Sequence, residues 1–305
     1  MRAALHALTD ELQRLKTAGV KNVAVSDESV AALRRVVAAR NAGLRKPEAE
    51  KTERRPTGQV LNPYEPPRPA IRSPVSEIRN PIPAPPTVTL PGGDKQARWN
   101  ALLALVQNDP VCRAHVRPGK KVVLGVGSVE APIMFVGEAP GAEEEMQGEP
   151  FVGPAGQLLT KMIQGMGLKR GEVYIGNIMN WRPEMPVGAN GEQYGNRPPT
   201  EEELNYCLPY LRAQIEVVAP AVLVALGKTA AQGLLGFRSV KTLGDVRGRW
   251  HEFVGRPLMV TYHPSYILRE PTNQKKRMIW EDLLKVMERV ALPISEKQRG
   301  FFLDT

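Results

Sequence analysis

The chain has 305 residues, a formal net charge of +9 and two cysteines, Cys112 and Cys207, that lie far apart in sequence. A chain of this length buries a sizeable core without disulfides or a structural metal. No run approaches the roughly 18 apolar residues a membrane span needs, and the polar residues in the opening MRAALHALTDEL break the apolar core a signal peptide requires, so a cytoplasmic, reducing setting is expected.

Residues 1–45 hold 8 basic and 4 acidic side chains, residues 46–95 hold 8 and 6, and residues 96–305 hold 25 and 22. A basic excess suits an anionic partner and equally a solvated surface. The near balance of the last two-thirds means that any argument for nucleic acid there rests on particular residues.

In chain order, Leu5, Leu8, Leu12 and Leu15, then Val30, Leu33, Val36 and Val37, recur at helical spacing and predict a helical segment over 1–45. Residues 46–95 contain 12 of the 28 prolines and few large apolar side chains. Such a stretch cannot bury enough surface to offset chain entropy, and it is expected to be a disordered linker.

From residue 96 a domain is expected to run to 293, leaving 294–305 as a tail. It opens with a helix over Ala97 to Val106, after which short apolar runs alternate with helical stretches: IMFVG at 133–137, VYIGN at 173–177, VLVALG at 222–227 and LMVTYH at 258–263. That alternation predicts an α/β domain, a parallel sheet with helices on both faces. Pro154 suits the first turn of a helix that Gly167 can close, and Thr200 with Glu203 fits a capping box.

In open α/β sheets, ligands bind beyond the carboxyl ends of the strands. Each unusual polar cluster follows a predicted strand: GEAPG at 137–141, Asn177, Gly227 with Lys228, and HPSY at 263–266. The two glycines around Pro140 permit close backbone approach to a ligand, or simply an ordinary turn. The carboxylates Glu138, Glu143, Glu144 and Glu145 speak against a phosphate cradle. His263 reads as a ligand group or as a structural histidine, Ser265 and Arg269 as phosphate contacts or plain surface.

GEAPG, PFVGPAGQLL at 150–159, VYIGN, Arg197 with Pro198 before a helix containing Cys207, VALG at 224–227, VRGRWH at 246–251 and HPSYIL at 263–268 occur together in one order. In that order the chain resembles the family 4 uracil-DNA glycosylases over about 200 residues. The resemblance implies a three-layer α/β/α domain with a short, mainly parallel sheet that hydrolyses the N-glycosidic bond of deoxyuridine in DNA, starting base excision repair.

It also implies roles. Gly137 and Ala139 would approach the base, Phe151 would stack on it, and Asn177 would pair with its edge; without the family these two read as a core aromatic and a loop cap. His263 would hydrogen-bond a uracil carbonyl as charge develops there. Glu138 and Glu144 would steady the sugar and orient water, with Glu143 and Glu145 forming a solvated acidic turn. Ile267 or Leu268 would be the apolar wedge that fills the vacated stack, beside Ser265 and Arg269 at the backbone.

Two departures stand out. The family carries an iron–sulfur cluster on four cysteines. Here the first pair reads Cys112 and His115, the third place holds Trp181, and Cys207 keeps the fourth. Tryptophan cannot ligate iron, so no cluster, metal or other cofactor is expected, and Trp181 is expected in a packed plug.

The second departure is PEMPVGANGEQYGN at 183–196, a long loop where a relative of the family carries a basic loop whose histidine captures the sugar covalently. This insertion has no histidine and no basic cluster, so turnover is expected. The expected partner is uracil-containing DNA, with no membrane, a monomeric chain and an unspecified protein partner for the N-terminal segment. Two alternatives stay open: a uracil- or abasic-DNA binding protein without turnover, and a nucleoside or nucleotide hydrolase.

Overall fold

Residues 82–188 and 192–303 are described in a computed structural model of the chain. The helical segment expected over 1–45 and the linker up to residue 81 lie outside the described residues.

The sheet is ordered β1-β3-β2-β4-β6-β5. Its four central strands, β3 (Tyr174–Asn177), β2 (Ile133–Gly137), β4 (Val222–Leu226) and β6 (Arg256–Thr261), are parallel. They coincide with the four apolar runs. The edges are antiparallel: β1 (Val126–Gly127) on β3 and β5 (Trp250–Phe253) on β6.

The central strands are largely apolar because both faces are covered. Along β2, Met134 and Val136 point into one core with Leu223 and Ala225, while Ile133 and Phe135 point into the other with Val222 and Val224. The period of two thus sorts one continuous run into two layers.

On the first face lie α1 (Lys95–Asn108), α5 (Glu201–Val218) and α6 (Lys228–Leu235). On the second lie α4 (Pro154–Gly165) and α8 (Asn273–Arg289). The short helices α2 (Pro110–Ala114), α3 (Ala142–Gln147), α7 (Ser265–Arg269) and α9 (Glu296–Arg299) sit in the connections. Pro154 opens α4 and Gly167 takes φ +85° just beyond it. Thr200 and Glu203 exchange both bonds of a capping box at the start of α5.

Two expected boundaries shift. Residues 82–94 do not behave as free linker: Ile82, Val88 and Leu90 pack against the first core, since this proline-rich stretch still carries three large apolar side chains. The segment after 293 is also docked. Ile294 and Phe301 pack on the second core, Trp280 Nε1–H donates to Gln298 O at 2.6 Å, and Gln298 Nε2–H donates to Gly165 O at 2.9 Å.

Candidate active site

The register lines up the carboxyl ends of the parallel strands, pairing Gly137 with Asn177 and Leu226 with Thr261. Backbone bonds keep the loops abreast: Ile178 N–H donates to Gly137 O, Met179 N–H to Glu138 O, and Gly227 N–H to Thr261 O. The polar clusters of all four loops therefore gather at one end of the sheet.

Gly137 sets the floor. A Cβ there would lie 2.4 Å from Asn177 Oδ1 and 2.5 Å from the Phe151 ring, so amide and ring meet over a bare backbone. Asn177 is 5% exposed, and among the described residues its Oδ1 has no hydrogen-bond partner. Leaving a buried acceptor unpaired costs roughly 1–3 kcal/mol. An oxygen so placed can accept from a donor that a ligand would bring.

Phe151 has φ +55°, a left-handed conformation that is strained for a bulky residue. It is clamped from both sides. Glu144 Oε1 accepts from Val152 N–H at 3.1 Å and Gly153 N–H at 3.0 Å, and its Oε2 accepts from Gly141 N–H at 3.1 Å. Arg170 donates to Pro150 O at 2.7 Å. Gly156, in the first turn of α4, admits the Phe151 carbonyl, which would lie 1.8 Å from any Cβ there. Glu144 is thus a staple across the loop that carries the aromatic ring.

The His263 ring lies 5.6 Å from the Phe151 ring, tilted by 31°. Its Nδ1 accepts from Ser265 N–H at 3.2 Å, with Ser265 Oγ 2.9 Å away. An N–H donated onto Nδ1 leaves the ring proton on Nε2. Burial pushes the imidazole pKa down to about 4, with Arg269 adding to the depression and Glu144 opposing it. The ring is neutral near pH 7 and offers an Nε2–H donor. Behind it, Gly227 at φ +94° leaves room where a Cβ would come within 3.0 Å of His263 Cβ.

Burial raises the carboxyl pKa of Glu138, and a hydrogen bond from Thr229, in the first turn of α6, works against the rise. A carboxylate of raised pKa is a better proton acceptor than a free one. Ala139 is half-buried and packs against the first core.

Glu143 is exposed, but the solvated turn expected at Glu145 is corrected. Glu145 is 4% exposed and is held by Arg182 Nη1 at 2.9 Å and by Arg117. Two guanidiniums offset the desolvation that would otherwise keep a carboxylate at the surface. Arg182 also donates to Asn196 Oδ1 at 2.8 Å and Gly195 O at 2.7 Å, which ties the base of the 183–196 insertion to α3. Within it, Val187 bridges Gln193 in antiparallel fashion.

In α7, Ile267 is 6% exposed and belongs to the second core, whereas Leu268 is 47% exposed. Of the two wedge candidates only Leu268 projects outward, with Arg269 exposed beside it. The helical turn explains the split, since adjacent residues face different sides.

The positions of the family's cluster hold a different assembly. Cys112 and Cys207 are free and buried, and burial pushes both thiols up. Trp181 is fully buried and stacks on His115, with ring centroids 5.0 Å apart at 13°. Asp109 accepts from Tyr210 at 2.7 Å, Tyr206 at 2.9 Å and Cys112 N–H at 2.7 Å. Burial opposes its charge, but these bonds together hold the carboxyl below its usual range. An indole fills the third ligand place, so these residues do not fit a four-thiolate cluster. Among the described residues, no group of three His, Cys, Asp or Glu side chains converges to hold a metal ion.

Sequence reasoning missed Thr229, Arg170 and the Glu145 ion pairs. Their partners are 91, 20 and 28 to 37 residues away in sequence, and no motif spacing links them.

Residues 124–284 match the family model of the Uracil DNA glycosylase superfamily. A type-4 uracil-DNA glycosylase of Thermotoga maritima is 39% identical over 181 residues, covering 59% of this chain and 88% of that one. A type-4 uracil-DNA glycosylase of Archaeoglobus fulgidus is 42% identical over 155 residues, covering 49% and 73%. A type-5 uracil-DNA glycosylase of Pyrobaculum aerophilum is 30% identical over 181 residues, covering 54% and 73%.

Proposed function

The chain belongs to the uracil-DNA glycosylase superfamily, on its type-4 branch, and from that premise we propose that it excises uracil from DNA by hydrolysing the N-glycosidic bond and does so without an iron–sulfur cluster. The observation that carries the reading is the buried Oδ1 of Asn177, which has no partner among the described residues. Uracil brings an N3–H donor flanked by two carbonyls, while cytosine presents a bare ring nitrogen at that place. An acceptor fixed in a dry wall rewards the first and leaves the second unpaired.

With uracil flipped against Phe151, the neutral His263 donates its Nε2–H to a base carbonyl oxygen. As the bond between the sugar C1′ and the base N1 breaks, its electron pair goes to the base, and this hydrogen bond strengthens as the base becomes anionic. The sugar develops positive charge that the Glu138 carboxylate steadies. A water adds to C1′ and gives its proton to Glu138. Leu268 fills the space left in the stack. The insertion lacks a histidine, which supports release of the sugar by water and not capture by protein.

Asp109 with its two tyrosines, and Trp181 stacked on His115, support the same segments that a cluster would tether. The free, buried cysteines support a reducing, cytoplasmic setting. The test is alkali-labile cleavage of an oligonucleotide containing one uracil, run beside the cytosine and thymine equivalents. Cleavage confined to uracil is expected; binding without cleavage would replace turnover by recognition alone.

A further inference from the structure

The turn from β6 into α7 carries His263 between two tyrosines in sequence, Tyr262 before it and Tyr266 after it. Tyr262 and Tyr266 stack with centroids 4.3 Å apart and planes at 9°. Arg247 covers the outer face of Tyr262 at 5.1 Å, and Lys275 covers Tyr266 at 4.7 Å. The result is a four-layer stack, cation, ring, ring, cation, assembled from three separate segments of chain.

Both ends of the stack are anchored. Arg247 donates to Asp282 Oδ2 at 2.9 Å and Met278 O at 2.8 Å, and the same Asp282 oxygen accepts from Thr261 Oγ1 at 2.6 Å. Thr261 ends β6, so the inner end is fixed to the strand that delivers His263. At the outer end Lys275 pairs with Glu270, the residue directly after α7. The stack therefore spans α7 from the strand before it to the loop behind it.

We propose that Tyr266, held between Tyr262 and Lys275, is a positioning residue that fixes the His263 ring and aims Leu268. The inference rests on the reading of His263 and Leu268 given above. Three contacts already constrain His263: Gly227 behind, Phe151 beside and Ser265 at Nδ1. The Ser265 contact is useful only if α7 keeps its angle to β6, because Ser265 is the first residue of that helix. The tyrosine stack sets this angle. Cations on both outer faces favour the parallel arrangement of the rings, since each meets the electron-rich face of an aromatic.

The test uses the full chain and compares wild type with Tyr266→Leu, Tyr266→Phe and Lys275→Met. Single-turnover excision at saturating enzyme should slow about tenfold in Tyr266→Leu and about threefold in Lys275→Met, and stay within about twofold of wild type in Tyr266→Phe. Affinity for uracil-free duplex should stay within about twofold throughout. Nitrogen-15 NMR of the imidazoles, with four histidines in the chain, should show one His263 tautomer in wild type and exchange between forms in Tyr266→Leu. Full activity with an unchanged His263 signal in Tyr266→Leu overturns the proposal, as does a Phe variant as slow as the Leu variant. If Tyr266→Leu does not fold, Lys275→Met, which removes the outermost layer and its ion pair with Glu270 but leaves both rings, decides by the same two measurements. An inactive wild type counts against the glycosylase reading, and the NMR comparison then decides the positioning role alone.

Discussion

Ser265 sets the protonation of His263: its backbone N–H donates to Nδ1 at 3.2 Å, leaving the proton on Nε2, the atom proposed above to donate to the departing base. Burial reinforces this by holding the ring neutral, with a pKa of about 4.

The first prediction concerns pH. An unfolded histidine takes up a proton near pH 6.5, while folded His263 resists until about 4. Between those values the unfolded state binds more protons, so stability is fully present above 6.5 and is lost as pH falls toward 4, by on the order of 3 kcal/mol at roughly 1.4 kcal/mol per pH unit. Denaturant unfolding at pH 7.5 and 4.5 should show the loss in wild type and much less of it in His263→Asn. Excision by wild type should keep an acid limb set by Glu138, lying above the ordinary carboxylate range, and Glu138→Gln should lack it.

Asn177→Ala separates stability from activity. Removing a buried acceptor that has no partner among the described residues should leave the free protein as stable or more stable, by up to about 1 kcal/mol. The same change should lower kcat/KM on uracil DNA by about a hundredfold or more. Thermal unfolding and steady-state kinetics on one preparation give both numbers, and parallel losses would count against a ligand-facing amide.

Glu144 accepts three backbone N–H groups, so Glu144→Ala should cost about 3 kcal/mol and release Phe151 from its strained conformation. Glu144→Gln keeps only one acceptor oxygen and should fall between alanine and wild type. Calorimetric Tm and kcat should drop together in this series, in contrast to Asn177→Ala.

Leu268→Ala should discriminate between substrates. A wedge matters where a stack must be filled, so excision from duplex should slow about tenfold while excision from single strands stays within about twofold. Equal losses on both would assign Leu268 to packing.

Cys112→Ala and Cys207→Ala should retain activity within about threefold, and exposure of wild type to an iron chelator should change neither rate nor absorbance. Iron bound in stoichiometric amount, with absorption in the visible, would show that a cluster forms in spite of Trp181.

Much of the domain could be read from the chain because parallel strands covered on both faces must be largely apolar, and the cores of IMFVG, VYIGN, VLVALG and LMVTYH say so directly. The polar residues that follow each run were legible for the same reason: the fold delivers strand ends to one place. Three things were hidden. Ile267 and Leu268 are both aliphatic, and only the turn of α7 decides which is buried. Glu144 and Glu145 are chemically identical neighbours, yet one staples backbone N–H groups and the other meets two guanidiniums supplied from Arg117 and Arg182. The proline-rich stretch looked unable to pack, but Ile82, Val88 and Leu90 suffice to lay its last part on a core that already exists.

The bare backbone at Gly137 makes the pocket vulnerable to a single methyl group. Alanine there would put a carbon 2.4 Å from the amide oxygen and 2.5 Å from the aromatic ring, so the two side chains proposed to meet the base would have to move apart. Gly137→Ala is therefore expected to abolish excision by displacing the pocket wall, and if it folds it supplies an inert twin of the enzyme against which occupancy of a lesion can be told apart from its removal.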